Sequence, residues 1–133
     1  MAMFEKSYEP TVAGLEQATS DLDAVLEPLA AKEKAVVMVA ADEIFANVVN
    51  YSQATKWTLR VELLDDPARV QLVVEDDGTA FDPLSAAAPD TSLPAEERRI
   101  GGLGIFIVRK TMNPIAYERK DGKNVLSMTK IYG

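Results

Sequence analysis

The segment from residue 33 to residue 52 constrains the fold of this 133-residue chain more than any other part. Its apolar side chains fall on most sides of the predicted helix: Val36, Val37, Val39, Ile44, Phe45, Val48 and Val49. A helix of this kind is expected to be buried. The other elements must therefore cover it, and the length of the chain suits one compact domain, which we predict for residues 1–133.

The spacing of apolar residues predicts the other elements. In chain order these are an extended segment at 4–8, a helix at 11–29, strands at 57–64 and 69–75, a helix at 103–112, and strands at 115–119 and 124–132. Asp65-Asp66-Pro67 and Asp121-Gly122 are turn signals between paired strands. This order predicts an α+β fold, a two-layer α/β sandwich in which helices cover one face of a mixed, mostly antiparallel sheet.

The first predicted helix has Leu15, Leu22 and Leu26 along one side and Pro28 in its last turn. Two interpretations of this apolar side stay open. The leucines form part of the core, or they form a surface for a partner or a second copy of the chain.

Composition excludes several classes of function. The formal net charge is −7, and a strongly acidic surface argues against direct binding of nucleic acid. The chain has no cysteine and no histidine, which excludes disulfides, thiolate or imidazole metal sites, and Ser-His-Asp catalysis. We find no apolar run long enough to span a membrane, so we expect no membrane partner and a cytoplasmic location.

Glu43, Asn47 and Asn50 form the first of three polar clusters. They lie at i, i+4 and i+7 of the second predicted helix and therefore share one face. Such a face can line a cleft in which an amide oxygen binds hydrated Mg²⁺ and a carboxylate accepts a proton. The alternative is a face that is solvated or hydrogen-bonded to the backbone.

The second cluster, residues 76–83, directly follows an apolar strand and begins Asp76-Asp77-Gly78. A buried aspartate at a strand end can accept a hydrogen bond from an exocyclic amine, and Gly78 lets the backbone approach a flat ring. The alternative is an ordinary tight turn, in which Asp and Gly are common.

The third cluster is Gly101-Gly102-Leu103-Gly104, which leads into a predicted helix. Backbone N–H groups at a helix N-terminus favour an anion, so a phosphate cradle and a flexible hinge are both open. No Gly-Lys-Ser/Thr follows, and the spacing does not match a dinucleotide fingerprint.

In order and spacing the three clusters resemble the motifs of the GHKL ATPases. Residues 42–51 resemble the N box, residues 76–83 the adenine box, and residues 101–105 the glycine-rich lid hinge. The subgroup that the chain resembles most is the anti-sigma-factor serine/threonine kinases, which share the Phe-Asp-Pro tail of the adenine box, the Gly-Gly-Leu-Gly form and the ending at 117–126. Many relatives have His where this chain has Tyr51. The resemblance implies the Bergerat ATP-binding fold, with an ATP lid at about residues 82–101.

The resemblance also implies roles for individual residues. Glu43 would be the general base, Asn47 the Mg²⁺ ligand, and Asn50 a support for the water shell or phosphates. Asp76 would accept from the adenine amino group, with Gly78 against the ring. Further ATP contacts are implied for Ala80, Phe81, Arg98, Arg99, Gly101, Gly102, Leu103 and Gly104.

The function implied is an ATP- and Mg²⁺-dependent serine/threonine kinase and anti-sigma factor. Its partners would be an anti-sigma antagonist of the STAS type, a sigma factor, or both, and a homodimer is expected by analogy. Two alternatives stay open: a nucleotide-dependent binding module, and an ATPase in which Glu43 activates water.

Overall fold

The computed structural model describes residues 2–82 and 102–132. Within them the chain forms, in order, β1 (Ala2–Tyr8), α1 (Val12–Val25), α2 (Ala31–Tyr51), β2 (Trp57–Leu64), β3 (Arg69–Asp76), α3 (Gly102–Thr111), β4 (Ile115–Lys120) and β5 (Lys123–Ile131). Each predicted helix and strand is present, with bounds that differ by a few residues.

The five strands form one sheet in the order β1-β2-β3-β5-β4. Every pair among the described strands is antiparallel, so the α+β class is confirmed and the expected mixed sheet is antiparallel instead. The predicted turn between β4 and β5 is also present. Asp121 and Gly122 both have positive φ, which a two-residue hairpin turn of type I′ requires.

One face of the sheet is buried and carries the core. Buried and half-buried residues alternate along β2 and β3, as the period of a strand dictates. The register places Trp57 of β2 opposite Asp76 of β3, and Asp76 opposite Asn124 of β5. Since α1 contacts β1 and β2 while α2 contacts β3, the helices cover this face.

Helix α2 is buried along one side only. Its buried apolar residues are Val37, Ala40, Ala41, Ile44, Phe45 and Val48. Val39 is 58% exposed, so the expectation that apolar residues on most sides would all be covered is wrong for this residue. No helix among the described residues combines the length and apolarity needed to cross a membrane.

Helix α1 ends at Val25, four residues before the predicted end. Pro28 explains the difference, because proline has no N–H to donate within a helix and its ring displaces the preceding turn. The chain continues through tighter turns, in which Glu27 N donates to Ala24 O at 3.3 Å and Leu29 N donates to Leu26 O at 2.9 Å. Leu26 is still fully buried there.

The leucine side of α1 packs into the core. Leu22 and Leu26 are fully buried within the single chain, and Leu15 is half-buried against the same cluster. The core interpretation is therefore confirmed for Leu22 and Leu26, which a partner could not reach.

Candidate functional site

The candidate site lies where the carboxyl end of β3 meets the C-terminal half of α2 and the beginning of β5. Asp76 is the last residue of β3, and its side chain is only 6% exposed. The strand periodicity that buries Val70, Leu72 and Val74 on the core face also points Asp76 there. The carboxylate is therefore placed beneath the helical layer.

A direct backbone contact joins α2 to the segment after β3. Thr79 N donates to the carbonyl oxygen of Ser52, the residue that follows α2, at 2.7 Å. A Cβ atom on Gly78 would lie 2.1 Å from the same oxygen, far inside contact distance. The glycine is therefore required by its contact with Ser52. Its predicted contact with a ligand ring stays a prediction.

Asp77 has a different environment from that of its neighbour Asp76. It is exposed, and its carboxylate accepts from Thr55 N at 2.8 Å, from the Thr55 hydroxyl, and from Lys56 N at 3.2 Å. These hydrogen bonds, those of Thr55 first, lower the pKa of Asp77 below its ordinary value. Asp77 thus holds the segment before β2, whereas the side chain of Asp76 lies on the buried face of the sheet.

A cleft opens beside Asp76, with about 370 Å³ of empty space when the part open to solvent is included. Its lining residues are Ile44, Asn47, Val48, Ser52, Val74, Asp76, Phe81, Tyr117, Asn124 and Leu126. The structure therefore brings together Asn47, Asp76 and Phe81, which were predicted from two separate motifs. Ala80 is exposed and is not part of the lining.

Two polar groups in the cleft have no hydrogen-bond partner within residues 2–82 and 102–132. One is the amide of Asn47, a residue only 9% exposed. The other is Oδ2 of Asp76, since Oδ1 alone accepts, from Gly78 N at 2.9 Å and Asn124 Nδ2 at 3.0 Å. Both groups are open to the cleft, because among the described residues no fully enclosed side-chain nitrogen or oxygen is without a hydrogen-bond partner. A ligand in the cleft can therefore form hydrogen bonds with both.

The chemistry of the cleft fits a flat heterocycle with an exocyclic amino group. A carboxylate oxygen can only accept, and the free oxygen of Asp76 would pair with an N–H donor. Ile44, Val48, Val74 and Leu126 supply apolar walls. An apolar pocket with a few fixed polar groups is the usual form of a small-molecule site.

Glu43 and Asn50 do not line the cleft. Glu43 lies one helical turn before Asn47 and is half-buried, whereas Asn50 is exposed. Partial burial, and then the negative charge of Asp42, raise the pKa of Glu43 above its ordinary value. A raised pKa suits a group that must accept a proton near neutral pH. The roles predicted for both residues stay predictions.

The glycine cluster is described only in part. Gly102, Leu103 and Gly104 are the first residues of α3, which packs against α2. Gly101, Arg98, Arg99 and the predicted lid beyond Asp82 lie outside the described residues. In the described ranges no group of three or more carboxylates is placed to hold a metal ion alone.

Sequence reasoning assigned no role to Ser52, Tyr117 or Asn124. All three line the cleft. Tyr117 and Asn124 lie in the C-terminal stretch that resembles the family, but a single tyrosine and a single asparagine carry no motif of their own. Only the pairing of β3 with β5, which the sequence does not reveal, places Asn124 beside Asp76.

The chain is similar to known proteins over most of its length. Residues 8–130 match the family model described as the histidine kinase-like ATPase domain. The chain is 28% identical over 101 residues to the serine/threonine-protein kinase BtrW of Bordetella bronchiseptica, which covers 74% of this chain and 71% of that protein. It is 31% identical over 100 residues to the serine-protein kinase RsbW of Halalkalibacterium halodurans, which covers 71% of this chain and 60% of that protein.

A solved structure has the same fold. The crystal structure of the RsbU and RsbW domains of Rv1364c from Mycobacterium tuberculosis matches with a TM-score of 0.72 at 14% identity. The match covers 99% of this chain and 33% of that chain. The chain thus spans less than two thirds of both this protein and the RsbW relative, and the structural likeness concerns the fold alone.

Proposed function

Because this chain belongs to the histidine kinase-like ATPase domain family, we propose that it is an ATP-dependent serine/threonine protein kinase that also acts as an anti-sigma factor. One observation carries the proposal. Asn47 and Asp76 come from separate sequence motifs, and both line one cleft with an unpaired polar group. Two relatives named as kinases support the reaction class.

ATP is the proposed occupant of the cleft. Oδ2 of Asp76 accepts a hydrogen bond from the adenine amino group, and the ring lies between the apolar walls. The phosphates extend toward Asn47 and the N-terminus of α3, where backbone N–H groups favour an anion. Asn47 would supply an amide oxygen to Mg²⁺, which when bound would neutralise charge on the phosphates.

Glu43 is the proposed general base. Its carboxylate accepts the proton of a serine or threonine hydroxyl as that oxygen bonds to the terminal phosphorus and the bond from phosphorus to the ADP oxygen breaks. The raised pKa of Glu43 makes it a stronger base than an ordinary glutamate. With water in place of the hydroxyl the same groups would release phosphate, which is the ATPase alternative.

The proposed protein substrate is an anti-sigma antagonist of the STAS type, and the proposed captured partner is a sigma factor. Both assignments, and a homodimeric assembly, come from the family resemblance. A cytoplasmic location is part of the same proposal. The net charge of −7 is compatible with a basic partner surface.

The test is phosphate transfer from labelled ATP with Mg²⁺ to a purified STAS-type antagonist. We expect label on a serine or threonine of the antagonist with the native chain, and none with Glu43→Gln or Asn47→Ala. Glu118→Gln and Asn113→Ala, at exposed positions, are matched controls and should transfer normally.

The alternatives give different results in the same assay. Free phosphate without labelled antagonist would identify an ATPase. Nucleotide binding with neither product would identify a binding module. Absence of nucleotide binding by the native chain would overturn the proposed function as a whole.

A further inference from the structure

Among the described residues that line the cleft, Asn124 has the side chain with the most hydrogen bonds. It is the second residue of β5, directly opposite Asp76 of β3, and it is only 5% exposed. Its Nδ2 donates to Asp76 Oδ1 at 3.0 Å and to Thr79 O at 2.8 Å. Its Oδ1 accepts from Phe81 N at 3.1 Å and from the Tyr117 hydroxyl. The amide thus uses both its donors and both its acceptor positions.

The bonding partners fix which way the amide of Asn124 points. Phe81 N can only donate, so it must face the amide oxygen, and Thr79 O can only accept, so it must face the amide nitrogen. Reversing the amide would break both bonds. The N–H group directed at Asp76 is therefore determined by two backbone groups.

This orientation determines which oxygen of Asp76 is left for a ligand. Asn124 Nδ2 and Gly78 N both donate to Oδ1. Oδ2 then has no hydrogen-bond partner within the described residues. The two hydrogen bonds to Oδ1 fix the orientation of the Asp76 carboxylate. The same amide also holds Thr79 and Phe81, the segment that follows Asp76.

We propose, on the basis of the proposed function above, that Asn124 is a positioning residue for nucleobase recognition. It holds the carboxylate of Asp76 so that Oδ2 meets the exocyclic amino group of the base. Asn124 acts on the base only by orienting Asp76 and makes no direct contact with the base. The ligand class selected is a purine nucleotide with an amino group at the ring position that Asp76 faces.

The test compares ATP with purine riboside triphosphate, which lacks the amino group. Dissociation constants are measured by calorimetry for the native chain, Asn124→Asp and Asn124→Ser. Asn124→Asp keeps the side-chain shape and replaces the donor to Asp76 by an acceptor. Asn124→Ser is smaller and removes the amide. Asn113→Asp, at an exposed position, is the matched control, and circular dichroism checks each fold.

We expect the native chain and Asn113→Asp to bind ATP roughly tenfold or more tightly than the analogue, because a hydrogen bond to a charged group is lost. In the Asn124 variants the two ligands should bind within about threefold of each other, with most of the loss on ATP. A residue that only supports the fold would weaken both ligands equally and leave their ratio unchanged.

The outcomes separate the two proposals. A native ratio retained in a folded Asn124 variant would overturn the role of Asn124 and leave the kinase proposal intact. Loss of fold in both Asn124 variants would assign the residue to the core and also overturn its positioning role. A native chain that binds neither ligand would overturn the proposed function itself.

Discussion

The raised pKa of Glu43 suits a general base but lowers the stability of the folded chain near neutral pH. Burial and Asp42 raise the pKa of this carboxyl, so the folded chain holds the proton to a higher pH than the unfolded chain does. Folding therefore opposes ionisation. The contribution of Glu43 to the free energy of unfolding therefore falls as pH rises from about 4.3, the ordinary pKa of a glutamate, through the raised pKa of the folded chain.

Glu43→Gln should remove this loss. Glutamine keeps the shape and does not ionise, so the variant should melt at a higher temperature than the native chain at pH 7, with the difference closing toward about pH 4. Phosphate transfer should be lost because the base is absent. Thermal denaturation across this pH range checks the first effect. Glu118→Gln is the exposed control, and a gap that widened toward acid would contradict the sign.

Gly78 limits substitution for a steric reason, because only a residue without a side chain fits against the Ser52 carbonyl group. Gly78→Ala would place Cβ 2.1 Å from the Ser52 carbonyl oxygen, which belongs to backbone that cannot rotate away. We expect a loss of about 1–3 kcal/mol in the free energy of unfolding, measured by urea denaturation.

Gly122→Ala is the comparison for this substitution. A Cβ atom there would meet nothing within 4 Å, although φ is +76°. The expected loss is about 1 kcal/mol, from backbone strain alone. Gly78 does not have a positive φ, so a loss near zero in Gly78→Ala would show that the contact with Ser52 relaxes freely.

At the scale of elements, Asp77 joins the end of β3 to the segment before β2. Its hydrogen bonds with Thr55 and Lys56 lower its pKa. The stabilisation that this provides is complete above the ordinary pKa of an aspartate, about 3.9, and is lost as pH falls through the lower folded pKa.

Asp77→Asn should therefore change the response of the chain to acid. The native melting temperature should fall more steeply than that of the variant between about pH 4 and pH 2, because only the native side chain must take up a proton. Thermal denaturation by circular dichroism measures both slopes. Glu118→Gln should keep the native slope, and parallel curves for Asp77→Asn would rule out this role for Asp77.

Most helices and strands that could be predicted from the sequence are specified by residues close together in the chain. Alternation along β2 and β3 and the Asp121-Gly122 turn depend on neighbouring residues, so a single sequence reveals them. The early end of α1 follows from Pro28, also a local effect, but the leucine spacing outweighed it in the prediction. The exposure of Val39 depends on which side of α2 meets the sheet, and periodicity does not specify this.

The site could be predicted only where a motif marks it. Asn47 and Asp76 belong to recognisable spacings, and both line one cleft. Their roles toward a ligand stay predictions. Asn124 is distant from both along the chain and becomes part of the site through the pairing of β3 with β5. The motif at Gly78 predicts a contact with a ligand ring, whereas the contact of Gly78 with Ser52 depends on how α2 packs against the end of β3. Long-range pairing is the information that one sequence lacks.

In the whole molecule the cleft exists only when α2, β3, β4 and β5 are assembled, because each contributes lining residues. A ligand that needs all four elements binds the folded chain and not the unfolded chain. Binding must then raise the stability of the entire fold by mass action. The melting temperature of the chain is thus a readout of the proposed site.

Mg²⁺-ATP at about 100 times its dissociation constant should raise the free energy of unfolding of the native chain by roughly 2.7 kcal/mol. Asp76→Ala and Asn47→Ala should each reduce this gain at the same ligand concentration, the first by losing the acceptor for the amino group and the second by losing the amide near the phosphates. Asn113→Ala should keep the native gain. Without Mg²⁺, the native chain and Asn47→Ala should become more alike, whereas Asp76→Ala should still differ from both. Thermal denaturation of the four proteins with and without ligand measures these differences. A gain that persisted in Asp76→Ala would place the nucleotide elsewhere on the molecule.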